Sequence, residues 1–343
     1  MKSRPEGGPV LPASAASAAS AVAAVDAAGA GAASSPSVAD APSPSRGGGS
    51  RTAVVAVVGS ANLDVVVSTD RAPVPGETVM GRGIAEFAGG KGLNQALAAA
   101  QLAPTAFVGA VGDDNAGRLL GTALQRGGVD VGHLAERSGS SGTAFITVSA
   151  DGENSIVVIA GANGTVGGPE VAAALDAIRP VVVVTQLETP VDSVLAAVEW
   201  AASAGARWVF NPSPLDEWVR LPLLHPLRDA LSGADPLIVN AGEARGFLDE
   251  SDDRTIEQLA TSLAKIAASV VVTDGSRGAH VAAGDAYDFV AAMPVAPIDT
   301  TGAGDSFAGT VAAALALGES LVDAARAASA AAAEVVATPR AER

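Results

Sequence analysis

From residue 53 onward the chain alternates between short, unbroken apolar runs and longer stretches of helical character. The apolar runs fall at residues 53–58, 106–111, 181–185, 208–210, 237–239 and 270–273. They are short and continuous, which suits strands covered on both faces, as in a parallel sheet. Residues 92–102, 116–125, 191–204, 256–268 and a long Ala-rich stretch from 303 read as helices. The alternation predicts an α/β fold, a doubly wound and mostly parallel sheet flanked by helices and joined by right-handed crossovers. Two segments break the pattern. Residues 63–67 with 77–80, and 143–149 with 155–159, read as antiparallel hairpins, the second turning at Ala150-Asp151-Gly152-Glu153-Asn154. Such strands, inserted at about 63–80 and 143–159 of a folded unit spanning 51–343, are expected to form a small β-sheet lid over a site.

Residues 1–50 have a different character. Of these 50 residues, 38 are Ala, Ser, Gly or Pro, without periodicity. A stretch this poor in large side chains cannot offset its ordering entropy and is expected to be disordered. A secretory leader is the competing reading, since Lys2 and Arg4 precede an Ala-rich run. Asp26 interrupts that run and it has no Leu or Ile core, which argues against it. A start codon assigned too far upstream is a third reading.

Composition narrows the chemistry. The 343 residues contain no cysteine and three scattered histidines (His133, His225, His280), so thiol nucleophiles and thiolate–zinc sites are excluded and a His-built metal site is not expected. The net charge of −16 repels nucleic acid and anionic membrane, and neither is expected as a partner. No apolar stretch is long enough for a spanning helix, and a cytoplasmic location is expected. On so acidic a protein, a phosphate ligand must be held by a helix N-terminus, backbone N–H groups or a metal ion.

Five polar, Gly-rich stretches follow predicted strands or open predicted helices. Asp299-Thr300-Thr301-Gly302-Ala303-Gly304-Asp305-Ser306-Phe307 opens the long Ala-rich helix. Its glycines permit a tight turn and close backbone approach, and the helix behind them aims unpaired N–H groups at a ligand. Asp305 sits where a carboxylate could take a proton from an attacking hydroxyl, or where it could simply cap the helix. Gly89-Gly90-Lys91-Gly92-Leu93-Asn94-Gln95 offers a cation and two amides suited to a polyol; a helix-capping loop fits it equally well. Gly59-Ser60-Ala61-Asn62-Leu63-Asp64 lies at a strand's carboxyl end, where open α/β sheets bind ligands, although an Asx turn is also possible. Asn240-Ala241-Gly242-Glu243 could hold magnesium through water at Glu243, or cap a helix. Thr273-Asp274-Gly275-Ser276-Arg277-Gly278 could border a nucleotide base, or form a plain hairpin turn. Taken together, five such stretches at the ends of strands in one sheet point to a ligand site.

The order of these motifs, with Gly161-Ala162-Asn163, Gln186-Leu187-Glu188 and Asn211-Pro212-Ser213-Pro214 between them, resembles the PfkB/ribokinase family over about residues 54–336. The resemblance implies an α/β domain with a lid that often mediates dimerisation, magnesium-ATP as phosphoryl donor and a furanose hydroxymethyl group as acceptor. It implies Asp305 as base for the sugar's primary hydroxyl, with the N–H groups of Gly302, Ala303 and Gly304 as anion hole. Asn62, Asp64, Gly90, Lys91, Asn94 and Glu188 match the family's sugar contacts. Asn240 and Glu243 match its phosphate and magnesium motif. Thr273, Gly275, Ser276 and Gly278, with Gly304, match its nucleotide contacts, and Ser329 falls near its adenine edge. Asn62, Asp64 and Glu188 favour D-ribose, phosphorylated at its 5-hydroxyl. Kinases for 2-deoxyribose, fructose or adenosine on the same scaffold, and a sugar-binding regulator with weakened catalysis, are the competing readings. A dehydrogenase is disfavoured because no glycine fingerprint follows the first strand. The family also places a potassium ion beside the anion hole. Asp299 and Thr301 match one half of that site, but the helix runs into Ala-Thr-Pro-Arg-Ala-Glu-Arg and no second half is recognisable, so little potassium activation is expected.

Overall fold

The computed structural model describes residues 54–215, 225–248 and 253–343; the tail expected to be disordered lies outside them. A nine-stranded sheet forms the body. In chain order its strands are β1 (Val55–Val58), β4 (Thr105–Gly112), β5 (Asp130–Arg137), β8 (Val182–Thr185), β9 (Arg207–Phe210), β10 (Ala234–Asn240), β11 (Val270–Thr273), β12 (Gly278–Ala283) and β13 (Ala286–Ala291). Their spatial order is β13-β12-β11-β10-β9-β8-β1-β4-β5. Seven strands are mutually parallel, while β12 runs antiparallel to both β11 and β13.

The apolar runs became strands because both faces are covered. Every residue of β1, β4 and β8 is buried. One face packs on α3 (Gly168–Ile178), α4 (Val191–Ala204) and α7 (Ile256–Leu263); the other packs on α1 (Lys91–Ala100), α2 (Asn115–Arg126), α8 (Ala303–Ala316) and α9 (Leu321–Ala337). Two short helices, α5 (His225–Ala230) and α6 (Ala241–Leu248), complete the helices of the described residues. Local chemistry sets several ends. Asp114 caps α2 by accepting from the Gly117 N–H at 2.7 Å, and Thr255 with Gln258 forms a capping box on α7. Gly205 ends α4 in the left-handed conformation.

A second sheet of four strands, ordered β3-β2-β6-β7, is built from β2 (Asn62–Thr69), β3 (Gly81–Gly89), β6 (Gly142–Val148) and β7 (Asn154–Ile159). The hairpin of β6 and β7 pairs Thr143 with Ile159 and Val148 with Asn154. The partner of β2, however, is not residues 77–80. These remain in the connecting loop, and the strand is Gly81–Gly89, whose three glycines and two alanines mask its strand character. The stretch from residue 303 is also two helices. Gly318 at φ +90° and the Ser320 cap divide it into α8 and α9.

The chain leaves β1 to build β4 and β5 on one side, then returns to build β8 to β11 on the other. The reversal falls between β1 and β8, and the segments after these two strands carry Ser60 to Asp64 and Gln186 to Glu188. Crevices at such reversals are where open α/β sheets take their ligands.

Candidate active site

Three of the Gly-rich stretches meet at that reversal. Glu188 is the hub of the first cluster. Its Oε2 accepts from Ser60 Oγ at 2.5 Å, from the Lys91 backbone N–H at 3.1 Å and from Asn62 Nδ2 at 3.3 Å. Asn62 is fixed from behind, its Oδ1 accepting from Asn163 Nδ2 at 2.7 Å; Asn163 is itself buried and accepts from the Ala61 N–H. Burial raises the pKa of Glu188, against the lowering pull of Lys91 and its hydrogen bonds. When ionised, a buried carboxylate makes a stronger hydrogen bond to a hydroxyl than a neutral acceptor does.

Asp305 is the second hub, in the first turn of α8. Asn94 Nδ2 donates to one carboxylate oxygen at 3.0 Å and Gln95 Nε2 to the other at 3.3 Å. The close packing of α1 on α8 makes this possible. Gly309 faces the Gln95 carbonyl, and any Cβ there would clash with it. Gln95 also accepts from Gln186 Nε2 at 2.6 Å and donates to Asn211 Oδ1 at 3.0 Å, while Asn211 Nδ2 donates to the Ile238 carbonyl at 3.0 Å. This buried amide chain links α1, the segment after β8, the segment after β9 and β10. Gln95, Gln186 and Asn211 stood in the motifs, but nothing in their spacing distinguished them from ordinary core amides.

A cleft of 160 Å³ runs from this carboxylate outward, lined by Lys91, Asn211, Ser213, Asn240, Glu243, Thr273, Gly302, Gly304 and Asp305 among others. Gly302 caps α8 with φ +78°, a conformation that favours glycine, and a side chain at Gly304 would enter open space. The N–H groups of Gly302, Ala303 and Gly304 therefore stand at a helix N-terminus facing a cleft, where the dipole favours an anion. Ala303 N–H also reaches the Thr300 carbonyl, at 3.3 Å.

Farther along the cleft, Asn240 and Glu243 hold each other. The Asn240 N–H donates to Glu243 Oε2 at 2.8 Å, and the Glu243 N–H donates to Asn240 Oδ1 at 2.9 Å. The capping reading of this motif is thus realised, with Glu243 still on the cleft wall. Thr273 reaches the cleft. Gly275 and Ser276 are exposed on the connection to β12, where Arg277 pairs with Asp274 at 2.6 Å. Gly278, at φ +130° against the Val290 carbonyl, is required by the β12–β13 hairpin itself. Ser329 Oγ donates to the Ala291 carbonyl at 3.4 Å.

Two arginines of the Ala-Thr-Pro-Arg-Ala-Glu-Arg segment reach the site, and no motif announced them. Arg340 donates from Nη2 to Asp64 Oδ2 at 2.5 Å and lies over the Phe87 ring. Burial raises the pKa of Asp64, and Arg340 opposes this. Arg343 turns to the strand-to-helix strap. It donates to the carbonyls of Asp299 at 2.8 Å, Thr301 at 2.6 Å and Thr338 at 2.7 Å, and lies 3.7 Å from the Asp299 carboxylate. The oxygens that were to form half of a potassium site thus face a guanidinium. A second cation at that distance would be repelled, so the residues present do not fit a bound monovalent ion there.

The fold and the cleft are those of a phosphoryl-transfer enzyme of the α/β class, with an acidic group and a cluster of polar side chains beside a helix N-terminus. The pfkB family carbohydrate kinase pattern matches residues 52–342, and the chain belongs to that family. It is similar to the ribokinase of Bacillus subtilis, 36% identical over 78% of this chain and 87% of that one, and to that of Schizosaccharomyces pombe, 34% identical over the same shares. Among solved structures, Arabidopsis thaliana ribokinase complexed with ribose and ATP superposes with a TM-score of 0.73 at 30% identity, covering 84% of this chain and 93% of that one. Among the described residues no helix is long and apolar enough to cross a membrane.

Proposed function

We propose that the chain transfers the γ-phosphoryl group of ATP to the 5-hydroxyl of D-ribose, yielding ribose 5-phosphate and ADP. The observation that carries this reading is the convergence of Asn62, Asp64, Lys91, Asn94 and Glu188 around the approach to Asp305. A polyol needs several fixed donors and acceptors at close range, and these residues supply both kinds. The ribokinase relatives, and the similar chain complexed with ribose and ATP, support ribose as the acceptor.

In this reading the ring hydroxyls are held by Asn62, Asp64, Lys91 and Glu188, with the Gly90 backbone close beside them. The primary hydroxyl points at Asp305, which takes its proton as the oxygen attacks phosphorus. The N–H groups of Gly302, Ala303 and Gly304 receive the charge that develops on the transferring group. Positioning and charge stabilisation are most of what phosphoryl transfer requires. Thr273, Gly275, Ser276, Gly278 and Asn240 border the nucleotide. Among the described residues no cluster of three or more acidic or histidine ligands exists. Magnesium that arrives on ATP needs only one or two carboxylates and keeps several waters, so Glu243 on the cleft wall, acting through a water, fits it. When bound, it would neutralise phosphate charge.

The lid supports a homodimer. Ile84, Phe145, Val157 and Ile159 lie on its one face, opposite to Asp64, and each is about half or more exposed. The test of function is ADP release over a panel of pentoses, hexoses and nucleosides. D-ribose is expected to give the highest kcat/KM; a nucleoside or hexose exceeding it tenfold would reassign the acceptor.

A further inference from the structure

Arg343 occupies an unusual place for an arginine. Its side chain is one-fifth exposed, and its partners are chiefly main-chain carbonyls. These come from two separate segments: the strap Asp299 to Thr301 before α8, and Thr338 at the end of α9. The two segments are already tied, since the Ile298 and Asp299 N–H groups donate to the Val336 carbonyl at 2.8 and 3.2 Å. Three carbonyls and a carboxylate from two loops, gathered on one positive charge, form an oxygen cage of the kind a weakly hydrated monovalent cation occupies. Burial lowers the pKa of Arg343, while Asp299 counters this; an arginine so placed still carries its charge.

The Thr301 carbonyl belongs to the same peptide unit as the Gly302 N–H. Drawing electron density toward that oxygen makes the N–H a stronger donor, and Gly302 opens the helix whose N-terminus faces the cleft. Clamping Asp299 and Thr301 also fixes the left-handed turn at Gly302 against movement.

We propose that the Arg343 guanidinium serves as the built-in monovalent cation of this kinase, a positioning residue that stiffens and polarises the anion-hole strap without touching substrate. The proposal rests on the phosphoryl-transfer reading of that strap. It makes the protein independent of potassium, and it makes an Arg343-deficient variant responsive to free cations.

The test compares the full chain with Arg343→Gln and Arg343→Lys in potassium chloride and in tetramethylammonium chloride of equal ionic strength, so that screening is constant. Melting temperature is measured without substrates, and initial rates with ribose and ATP. The parent should melt identically in both salts and change rate by less than about twofold, under about 0.5 kcal/mol in barrier. Arg343→Gln should lose roughly tenfold or more in kcat with little change in the KM for ribose. Potassium or guanidinium ions should restore a saturable part of that loss and raise the variant's melting temperature alone. Arg343→Lys, which keeps the charge, should retain more activity than Arg343→Gln. Should Arg343→Gln fail to fold, the salt response of Arg343→Lys and of the parent still decides the matter. Saturable potassium activation of the parent by tenfold or more overturns the proposal. So does an Arg343→Gln variant as active as the parent, or one that no cation restores. A parent inactive on every sugar would instead sink the functional reading, while the substrate-free melting comparison would still judge the cation.

Discussion

Arg340 closes on Asp64, donating to its Oδ2 at 2.5 Å while its guanidinium rests 4.8 Å from the centre of the Phe87 ring. Asp64 and Phe87 are cross-strand neighbours on β2 and β3, so the Arg340 side chain bridges these two lid strands. The guanidinium takes one of the two Asp64 oxygens, so in the proposed sugar site a ring hydroxyl competes with Arg340 for that carboxylate.

Removing the competitor should help the sugar. Arg340→Ala is expected to lower the KM for ribose by about two- to tenfold, because the binding-competent state becomes the populated one. The same change leaves the Asp64 carboxylate buried without its cation, so the melting temperature at neutral pH should fall. Steady-state kinetics and thermal unfolding report the two effects separately. A tenfold rise in KM would instead make Arg340 part of the sugar site.

Asp305 accepts one amide hydrogen on each oxygen, from Asn94 and Gln95. Asp305→Asn removes the base and also turns an amide donor toward one of these two donors. A fall in kcat of roughly 10²–10⁴ is expected, as for loss of general-base assistance, with ribose affinity changed far less. Equilibrium ribose binding beside single-turnover rates separates the two. Turnover within threefold of the parent would remove Asp305 from the chemistry.

Glu188 gives a pH signature. Its folded pKa lies above the ordinary carboxylate value, because burial disfavours the charge. The folded protein thus holds this proton to higher pH than the unfolded chain does. Stability is lost as pH rises from about the ordinary carboxylate value to the raised one, and stays lost above it. Glu188→Gln lacks this titration, so its melting temperature should gain on the parent's through that window and keep the gain at neutral pH. Its kcat/KM for ribose should drop tenfold or more, since the hydroxyl loses a charged acceptor. A melting-temperature gap that does not change with pH would contradict the assignment.

The exposed lid face gives a fourth expectation. Phe145 and Val157 are paired across β6 and β7, 47% and 64% exposed. Phe145→Glu should shift the protein toward monomer in sedimentation without lowering the melting temperature of the monomer, because the ring contributes little to the chain's own core. A parent that is monomeric at micromolar concentration would exclude the lid as a dimer face.

The body of the fold was legible because burial on both faces leaves a plain record in sequence. Val55–Val58, Val182–Thr185 and Val270–Thr273 are strands with almost no polar interruption. β3 escaped because Gly81, Gly83, Ala85, Ala88 and Gly89 carry little apolar surface; cross-strand pairing with β2 decides its conformation. β12 escaped for the same reason, since Gly278, Ala279, Ala282 and Ala283 carry little apolar surface, while β13 is an edge strand whose exposed positions dilute the pattern. In the site, the motif residues gathered where Gly-rich turns close strands and open helices. Arg340 and Arg343 were invisible because their roles depend on where the last turn folds back, a relationship of residues 42 or more positions apart. The mutual capping of Asn240 and Glu243 was legible as one of two options, and only geometry could choose.

The amide chain from Gln186 through Gln95 to Asn211 and Ile238 has a thermodynamic consequence. Gln95 Nε2 is shared between Asn211, on the cleft's outer wall, and Asp305, at its inner end. A ligand that draws Asp305 toward itself must loosen or tighten the grip of Gln95 on Asn211, and the reverse holds for a ligand seated beside Asn211. With ligands seated at both ends as proposed, the shared Gln95 donor would couple them, and each is expected to change the other's affinity by the same factor.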